Sequence, residues 1–397
     1  MEIIEQPYGC FICDRKINRY DVIGGVSYDL ISAYAQNDCD FQKAICDLSE
    51  IYYDVDLCVI NRDLEQLLSW LTSRGYSVNG DIRFFDAESD ILKPVSIEVE
   101  ITTNCNLACS YCYASAGNNQ KRHLSLSQWI SILNLFYQKG ARVLTISGGE
   151  PLLYDGVFDL IENFHRKYII VLDTNGCFIT AQIAEKIFAL DLKAVQVSLD
   201  SPTSEIHDKI RGAGAWQMAC DAIHHLRKCG VPVILSMVLH KLNASYISEM
   251  EELAYSLGCE IEIAKAGKVG RGRTFSHAIS NTGNYGREYH IRKSILRDFE
   301  ICCFSQVGYI AIDQEGFIKP CNMPNAFFDT YSQDICKFSC LDHRQIDNFM
   351  ERHTRIFNPF YTEEQKPSEH SSHNCIINEA FKSDQRLELD ESDLCQR

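Results

Sequence analysis

Cys105, Cys109 and Cys112 stand at the spacing C-x3-C-x2-C, directly after the apolar, alternating run Val95 to Ile101. A short loop closing a strand can fold three thiolates onto one centre, and soft sulfur ligands select iron–sulfur or zinc sites. Three ligands are one short of a closed structural zinc site. A four-iron cube held in this way keeps one iron open, which a small molecule carrying an amine and a carboxylate can chelate while it receives an electron. In a chain with 19 cysteines, a zinc knuckle or chance clustering is the alternative.

Pro94 follows the linker at 79–93, and a regular alternation then begins. Strand-like runs occupy 95–101, 142–147, 168–173, 194–199, 231–239 and 259–264, with helical patterns between them such as Ser127 to Gln138 and Ala181 to Leu190. Repeated strand–helix units of this kind give a parallel sheet of buried strands. Ligands in such architectures sit at the carboxyl ends of the strands. Ser147-Gly148-Gly149-Glu150-Pro151, Asp173-Thr174-Asn175-Gly176 and Ser198-Leu199-Asp200 all fall there. Glycine lets a backbone approach a ligand closely, and a carboxylate accepts hydrogen bonds from an ammonium.

These motifs, in this order, resemble the radical S-adenosylmethionine family, in which the same cysteine spacing holds a 4Fe-4S cluster whose open iron binds the methionine end of S-adenosylmethionine. The resemblance implies an α/β fold, with a partial (β/α)6 TIM-type barrel over residues 94–275. It also implies reductive cleavage of the sulfonium to methionine and a 5'-deoxyadenosyl radical that abstracts a substrate hydrogen. On this resemblance Gly148, Gly149 and Glu150 hold the amino group of the cofactor. Thr174, Asn175, Ser198 and Asp200 meet the ribose hydroxyls and the methionine end, Arg211 in HDKIRG pairs with the carboxylate, and Tyr111 packs the adenine. Plainer alternatives are strand termination for Thr174 and Asn175, core packing for Tyr111 and a solvated surface guanidinium for Arg211. Lys265 to Arg273 resembles the Gly-rich turn that follows the sixth strand, and either contacts adenosine or only turns the chain.

Ahead of the barrel, residues 8–13 and 19–23 read as short strands, with Glu2 to Glu5 as a third. Helical patterns follow at Ser27 to Tyr34, Phe41 to Tyr53 and Asn61 to Arg74, the last with Leu64, Leu67, Leu68 and Leu71 on one face and Gly75 as its stop. A small sheet and three helices over residues 1–78 make a winged-helix-like domain, whose plainest reading is DNA binding. A net charge of −16 and the lack of a basic recognition helix argue against that reading. The segment resembles the PqqD-like peptide-binding domain, or RiPP recognition element, of enzymes that modify ribosomal peptides. That resemblance implies capture of a leader peptide as an added strand against the third helix.

The tail, residues 296–397, is cysteine-rich: Cys302, Cys303, Cys321, Cys336, Cys340, Cys375 and Cys395. Short strands at 307–312 and 316–319 read as a hairpin, and Gly316 to Cys321 resembles the G-x4-C element of the auxiliary-cluster extension known as SPASM or twitch. Cys302 or Cys303 is then the preceding ligand, and Cys336-x3-Cys340 resembles the later pair. The usual C-x2-C-x5-C is absent before it, so the resemblance implies one auxiliary 4Fe-4S cluster, and a second if Cys375 and Cys395 complete the sets. A zinc site or free cysteines is the alternative.

The acidity argues against nucleic acid or an anionic membrane as partner, and neither a membrane span nor a secretory signal is evident, so a cytoplasmic location is expected. Taken with the resemblances, the expected function is modification of a ribosomally synthesised precursor peptide by an intramolecular thioether or carbon–carbon cross-link, with flavodoxin or ferredoxin as electron donor. Oxidation of a serine or cysteine in a sulfatase-like protein is the enzymatic alternative, and an iron–sulfur DNA-binding sensor the remote one. No catalytic acid or base is singled out, for Asp313, Tyr309 and Cys303 are near the auxiliary cysteines in sequence only.

Overall fold

The computed structural model describes residues 1–6, 9–24, 26–80, 82–85, 91–118, 122–266, 270–277, 308–319 and 343–357. Three antiparallel strands open the chain: β1 (Glu2–Gln6), β2 (Gly9–Asp14) and β3 (Arg19–Gly24). Helices α1 (Val26–Gln36), α2 (Phe41–Ile51) and α3 (Leu57–Ser73) follow. Ile3, Cys10, Ile12 and Ile23 on one face of the sheet pack against Leu30, Ile31, Leu48, Leu64 and Leu71 of the helices. Asp56 caps α3 by accepting from Cys58 N at 2.8 Å, so the helix begins ahead of the apolar stripe, at Leu57 rather than at Asn61. A fourth strand, β4 (Arg83–Phe85), pairs in parallel with β1 inside the stretch expected to be only a linker. Too short to carry a periodic pattern, it is held by its partner.

The second sheet begins with six parallel strands: β5 (Ser96–Glu100), β6 (Val143–Ser147), β7 (Ile169–Thr174), β8 (Ala194–Ser198), β9 (Val233–Leu239) and β10 (Glu260–Lys265). Their order runs without reversal, as in a barrel and unlike a doubly wound sheet. Between the strands come α4 (Leu126–Gln138), α5 (Val157–Phe164), α6 (Ala181–Ala189), α7 (Ser204–Arg211), α8 (Ala215–Lys228) and α9 (Ile247–Ser256). Ser125 starts α4 with a reciprocal capping box to Gln128. Alternation divides each strand. Val99, Ile146, Leu172, Val197, Leu235 and Ile263 join the helices in one apolar core. Glu98, Glu100, Ser147, Asp173, Ser198 and Glu262 alternate with them and so face the inside of the barrel.

The tail enters the same sheet. β11 (Tyr309–Ile312) pairs in parallel with β5, and β12 (Ile318–Lys319) returns antiparallel to it around the turn at Asp313. Asp313 fixes that turn by accepting from Glu315 N at 3.0 Å and Phe317 N at 2.9 Å. The hairpin legible in the tail sequence thus prolongs the barrel edge, and α10 (His343–Phe357) adds Ile346, Phe349 and Met350 to the barrel core.

The first sheet sits beneath the barrel. Its other face, Ile4, Phe11 and Cys13, packs on Val95, Val143 and Ile169 at the amino ends of β5, β6 and β7. Arg142 reaches Glu2 at 2.5 Å, and Arg15 donates to the carbonyl of His165 at 2.5 Å and to Asp191 at 3.1 Å. Residues 1–85 are therefore fixed to the end of the barrel opposite the strand ends that carry the motifs.

Inside the barrel Lys319, 1% exposed, pairs with Glu100 at 2.8 Å. Breaking one side of a buried pair leaves an uncompensated charge, and we expect Lys319→Ala to cost about 3 kcal/mol or more in a denaturant titration. Lys319→Met combined with Glu100→Leu should recover most of that loss; a double variant as unstable as the single would contradict the assignment.

Candidate active site

The loop after β5 has almost no regular structure and is held by tertiary contacts. Asn104 bridges Gly117, and Cys105 N donates to the Gly117 carbonyl at 2.9 Å, which closes the loop on itself. Gly148, at φ +142°, and Gly149 lie under it, where a Cβ would collide with the carbonyl oxygens of Thr102 and Asn104. Gly149 N and Glu150 N donate to those same two carbonyls at 2.6 and 2.8 Å. From above, Arg271 donates through Nε to the carbonyl of Cys109 at 2.8 Å and through Nη1 to that of Ala116 at 2.7 Å. The turn expected only to reverse the chain or to touch adenosine therefore straps the cysteine loop.

Cys105, Cys109 and Cys112 are each partly buried and free of disulfides. Leu107 N donates to Cys105 Sγ and Ala116 N to Cys112 Sγ, both at 3.4 Å, and Asn175 Nδ2 to Cys105 Sγ at 3.7 Å. Burial pushes the Cys109 thiol up to about 11; Arg211 opposes this, and Asp200, Cys112 and Cys105 add to it. The three thiols are thus near neighbours. Among the described residues no three of His, Cys, Asp and Glu gather tightly enough for a single ion.

Glu150 is fully buried and receives three donors: Thr174 Oγ1 at 2.8 Å, Asn175 N at 2.8 Å and Leu152 N at 3.1 Å. Asn175 in turn donates to Asn106 Oδ1 at 2.8 Å. Gly148, Gly149, Glu150, Thr174 and Asn175 therefore form one constellation with the cysteine loop. Ser198 lies on the inner face in register with Ser236.

A second hub is Asp200, fully buried at the end of β8. Arg211 forks onto it with Nε at 2.7 Å and Nη2 at 3.2 Å, Tyr111 OH donates at 2.5 Å, and Val238 N at 2.9 Å. Asn243 Nδ2 holds the Asp200 carbonyl at 2.8 Å, and His207 Nδ1 accepts from its backbone N–H at 3.1 Å. Burial pushes the Asp200 carboxyl up, but Arg211, His207 and Tyr111 together hold it below the usual carboxylate range. Arg211 is buried against a carboxylate of the protein itself, not solvated at the surface, and Tyr111 packs with Ile210 and Ala266. Sequence reasoning reached His207 and Arg271 only as parts of the segments HDKIRG and Lys265 to Arg273 and did not single out Asn243, because the groups these side chains meet are set by how the loops fold together.

Residues 99–254 match the family model of the Radical SAM superfamily. That match runs from the end of β5 into α9, under half of the chain, and takes in the cysteine loop. Members of that superfamily are enzymes that use a 4Fe-4S cluster and S-adenosylmethionine, and a loop presenting three neighbouring thiols with N–H donors on two of them fits the cluster. The sequence is 32% identical over 199 residues to mycofactocin maturase MftC of Mycolicibacterium smegmatis, covering 50% of this chain and 51% of that protein. The chain thus spans about half the length of that relative. It is 28% identical to the sporulation killing factor maturation protein SkfB of Bacillus subtilis, over 80% of this chain and 82% of SkfB. In fold it resembles Streptococcus suis SuiB bound to S-adenosylmethionine, with a TM-score of 0.58 and 15% identity, covering 87% of this chain and 86% of SuiB. A further SuiB structure, bound to precursor peptide SuiA, gives a TM-score of 0.57 at 14% identity. SPASM-type relatives carry auxiliary clusters. Here Cys302, Cys303, Cys321, Cys336, Cys340, Cys375 and Cys395 lie outside the described residues. Among the described residues no helix is long and apolar enough to cross a membrane.

Burial pushes Glu150 up to about 7, against donors from Asn175, Thr174 and Leu152 that lower it. A carboxyl whose folded pKa is raised contributes stability below its unfolded pKa and loses it as pH rises through the folded one. The chain without cofactors should therefore lose stability between pH 4.5 and 7. Glu150→Gln should flatten that part of the profile, a difference on the order of 3 kcal/mol. Urea titrations across the window measure it; parallel wild-type and variant profiles would contradict the assignment.

Proposed function

We propose that this chain is a radical S-adenosylmethionine enzyme that modifies a ribosomally synthesised precursor peptide, forming an intramolecular thioether or carbon–carbon cross-link. The observation that carries the reading is that the likeness to SkfB, itself named a maturation protein, runs over 80% of this chain rather than over the Radical SAM domain alone. MftC is likewise named a maturase, and SuiB is described with a precursor peptide.

In this reading Cys105, Cys109 and Cys112 hold the 4Fe-4S cluster. Glu150, already oriented by three donors, accepts from the cofactor ammonium beside Gly148 and Gly149. Thr174, Asn175 and Ser198 line the same rim. Asp200 anchors Arg211 and Tyr111 so that the guanidinium and the phenol ring are held in fixed positions, the first for the carboxylate and the second for the adenine. When bound, cluster and cofactor supply hydrogen abstraction from an unactivated C–H bond, which acid–base chemistry does not reach at neutral pH. Electrons come from a flavodoxin or ferredoxin. The tail cysteines hold one or two auxiliary clusters.

Residues 1–78 take the leader, as a PqqD-like recognition element. What supports this is an edge strand, β3, at the end of a four-stranded sheet packed on three helices, the platform that strand addition requires. This unit sits at the amino ends of the barrel strands and the cysteine loop at their carboxyl ends. The modified residue must therefore lie beyond the leader by a segment able to span the barrel, roughly 20 Å for strands of this length, or at least about six extended residues.

Reduced protein and S-adenosylmethionine, incubated without oxygen with a small peptide encoded beside the gene, should give 5'-deoxyadenosine and a peptide lighter by the hydrogens lost on cross-linking. Removal of residues 1–78 should abolish the peptide product. Retention of full turnover without them would favour the sulfatase-type alternative, and an unchanged peptide with no deoxyadenosine would overturn the reading.

A further inference from the structure

Among the described residues, Asp173, near the end of β7, has no basic counterpart. Its Oδ1 is shut off from solvent and meets no donor. The charged groups acting on it are Glu98 from β5, Glu262 from β10 and Glu150 from the turn after β6, all of its own sign. The other inner-face acids are provided for differently. Glu98 accepts from Ser147 Oγ at 2.8 Å and from the Tyr309 hydroxyl, and Glu150 has its three donors. Glu100 has Lys319, whose ammonium is the buried one on this face among the described residues and is already committed. Even so Glu100, only 6% exposed, keeps Oε1 without a partner.

Asp173 is partly buried, and carboxylates set against one another away from bulk water are relieved by a proton or a cation. Burial first, then Glu98, Glu262 and Glu150, push Asp173 well above the usual carboxylate range, so it holds its proton when nothing else compensates. An organic ammonium brings its own hydrogen-bond donors and so needs no closed set of protein ligands around it. Asp173 opens on the inner face of the barrel, one strand position before Thr174 and Asn175 of the cofactor rim.

We propose that the inner face of the barrel at Asp173 is a seat for a protonated amine of the substrate, with Asp173 accepting its N–H donors and Glu98 and Glu262 adding charge of the required sign. It rests on the peptide-modifying reading and narrows it to peptides with a lysine-type cation at the segment that enters the barrel. Binding exchanges one cation for one proton: the carboxyl O–H of Asp173 gives its proton to buffer, the ammonium hydrogen-bonds the resulting carboxylate, and no other bond changes.

The test needs no turnover. Full-length, cluster-loaded protein with S-adenosylhomocysteine is titrated calorimetrically with N-acetyl-lysinamide and with its neutral counterpart N-acetyl-norleucinamide, in buffers of different ionisation enthalpy. The lysine probe should bind about tenfold more tightly and release a proton at neutral pH, because a charge-assisted hydrogen bond is worth roughly that factor. The near-isosteric Asp173→Asn should erase both the preference and the proton release. Equal binding of the two probes, binding of neither, or an unaltered preference in Asp173→Asn would overturn the proposal. The wild-type comparison decides even if the variant does not fold. Failure of the peptide-modifying reading would show separately, as absence of product from the encoded peptide.

Discussion

The loop that carries Cys105, Cys109 and Cys112 has almost no hydrogen-bond ladder of its own, so its shape is imposed from outside by a few strong contacts. Arg271 pins two of its carbonyls from above, and glycines beneath allow Gly149 and Glu150 to bond two more. Between the cysteines, Tyr111 is tied to Asp200, and Ser110 N donates to the Ile210 carbonyl at 3.0 Å. A cluster needs its thiolates in fixed relative positions before iron arrives. Loops achieve that only when their polar groups are satisfied by neighbours that are themselves fixed. Arg211 and Asp200 meet that condition because each is buried and each is the other's counter-charge.

The barrel reverses the usual arrangement of a small closed barrel. Its apolar side chains face outward, under the helices, and its acids, serines and Lys319 face inward. The interior polarity weakens the fold locally and creates the space in which chemistry can occur, a trade common where a site is built from strand ends. The outer core carries the stability. The N-terminal unit closes the floor with apolar packing and the Glu2–Arg142 and Arg15–Asp191 ion pairs, leaving the carboxyl ends of the strands open for cofactors.

Much of this was legible because strands of a parallel sheet announce themselves as β-branched runs and because chemistry-bearing residues cluster after them. The expected run 142–147 became Val143–Ser147, and the one at 194–199 became Ala194–Ser198. The nearness of Glu150, Thr174 and Asn175 to the cysteine loop follows from the same logic. Other features have no local signature. Asp200 reads as a short polar strand end, yet it is the acceptor for donors from three separate segments, Tyr111, Arg211 and Val238. Arg271 reads as part of a turn, since nothing in Gly-Arg-Gly-Arg says which carbonyls it will meet. The parallel pairing of β11 with β5 joins residues more than two hundred positions apart. Asp173 was legible as a strand-end acid, but not as one facing Glu98, Glu262 and Glu150, because that depends on which strands become neighbours.

In the proposed function three thiolates leave one iron for the cofactor. Electron paramagnetic resonance of the reduced, anaerobically loaded protein measures this directly, with the signal of this cluster assigned by its loss in the Cys105→Ala, Cys109→Ala, Cys112→Ala triple variant. Addition of S-adenosylmethionine should shift that signal in the wild type, because the amine and carboxylate of the cofactor enter the coordination sphere of the iron. A signal that survives the triple variant, or one that S-adenosylmethionine leaves unmoved, would mean that the metal is held elsewhere or fully by protein, and would contradict the account.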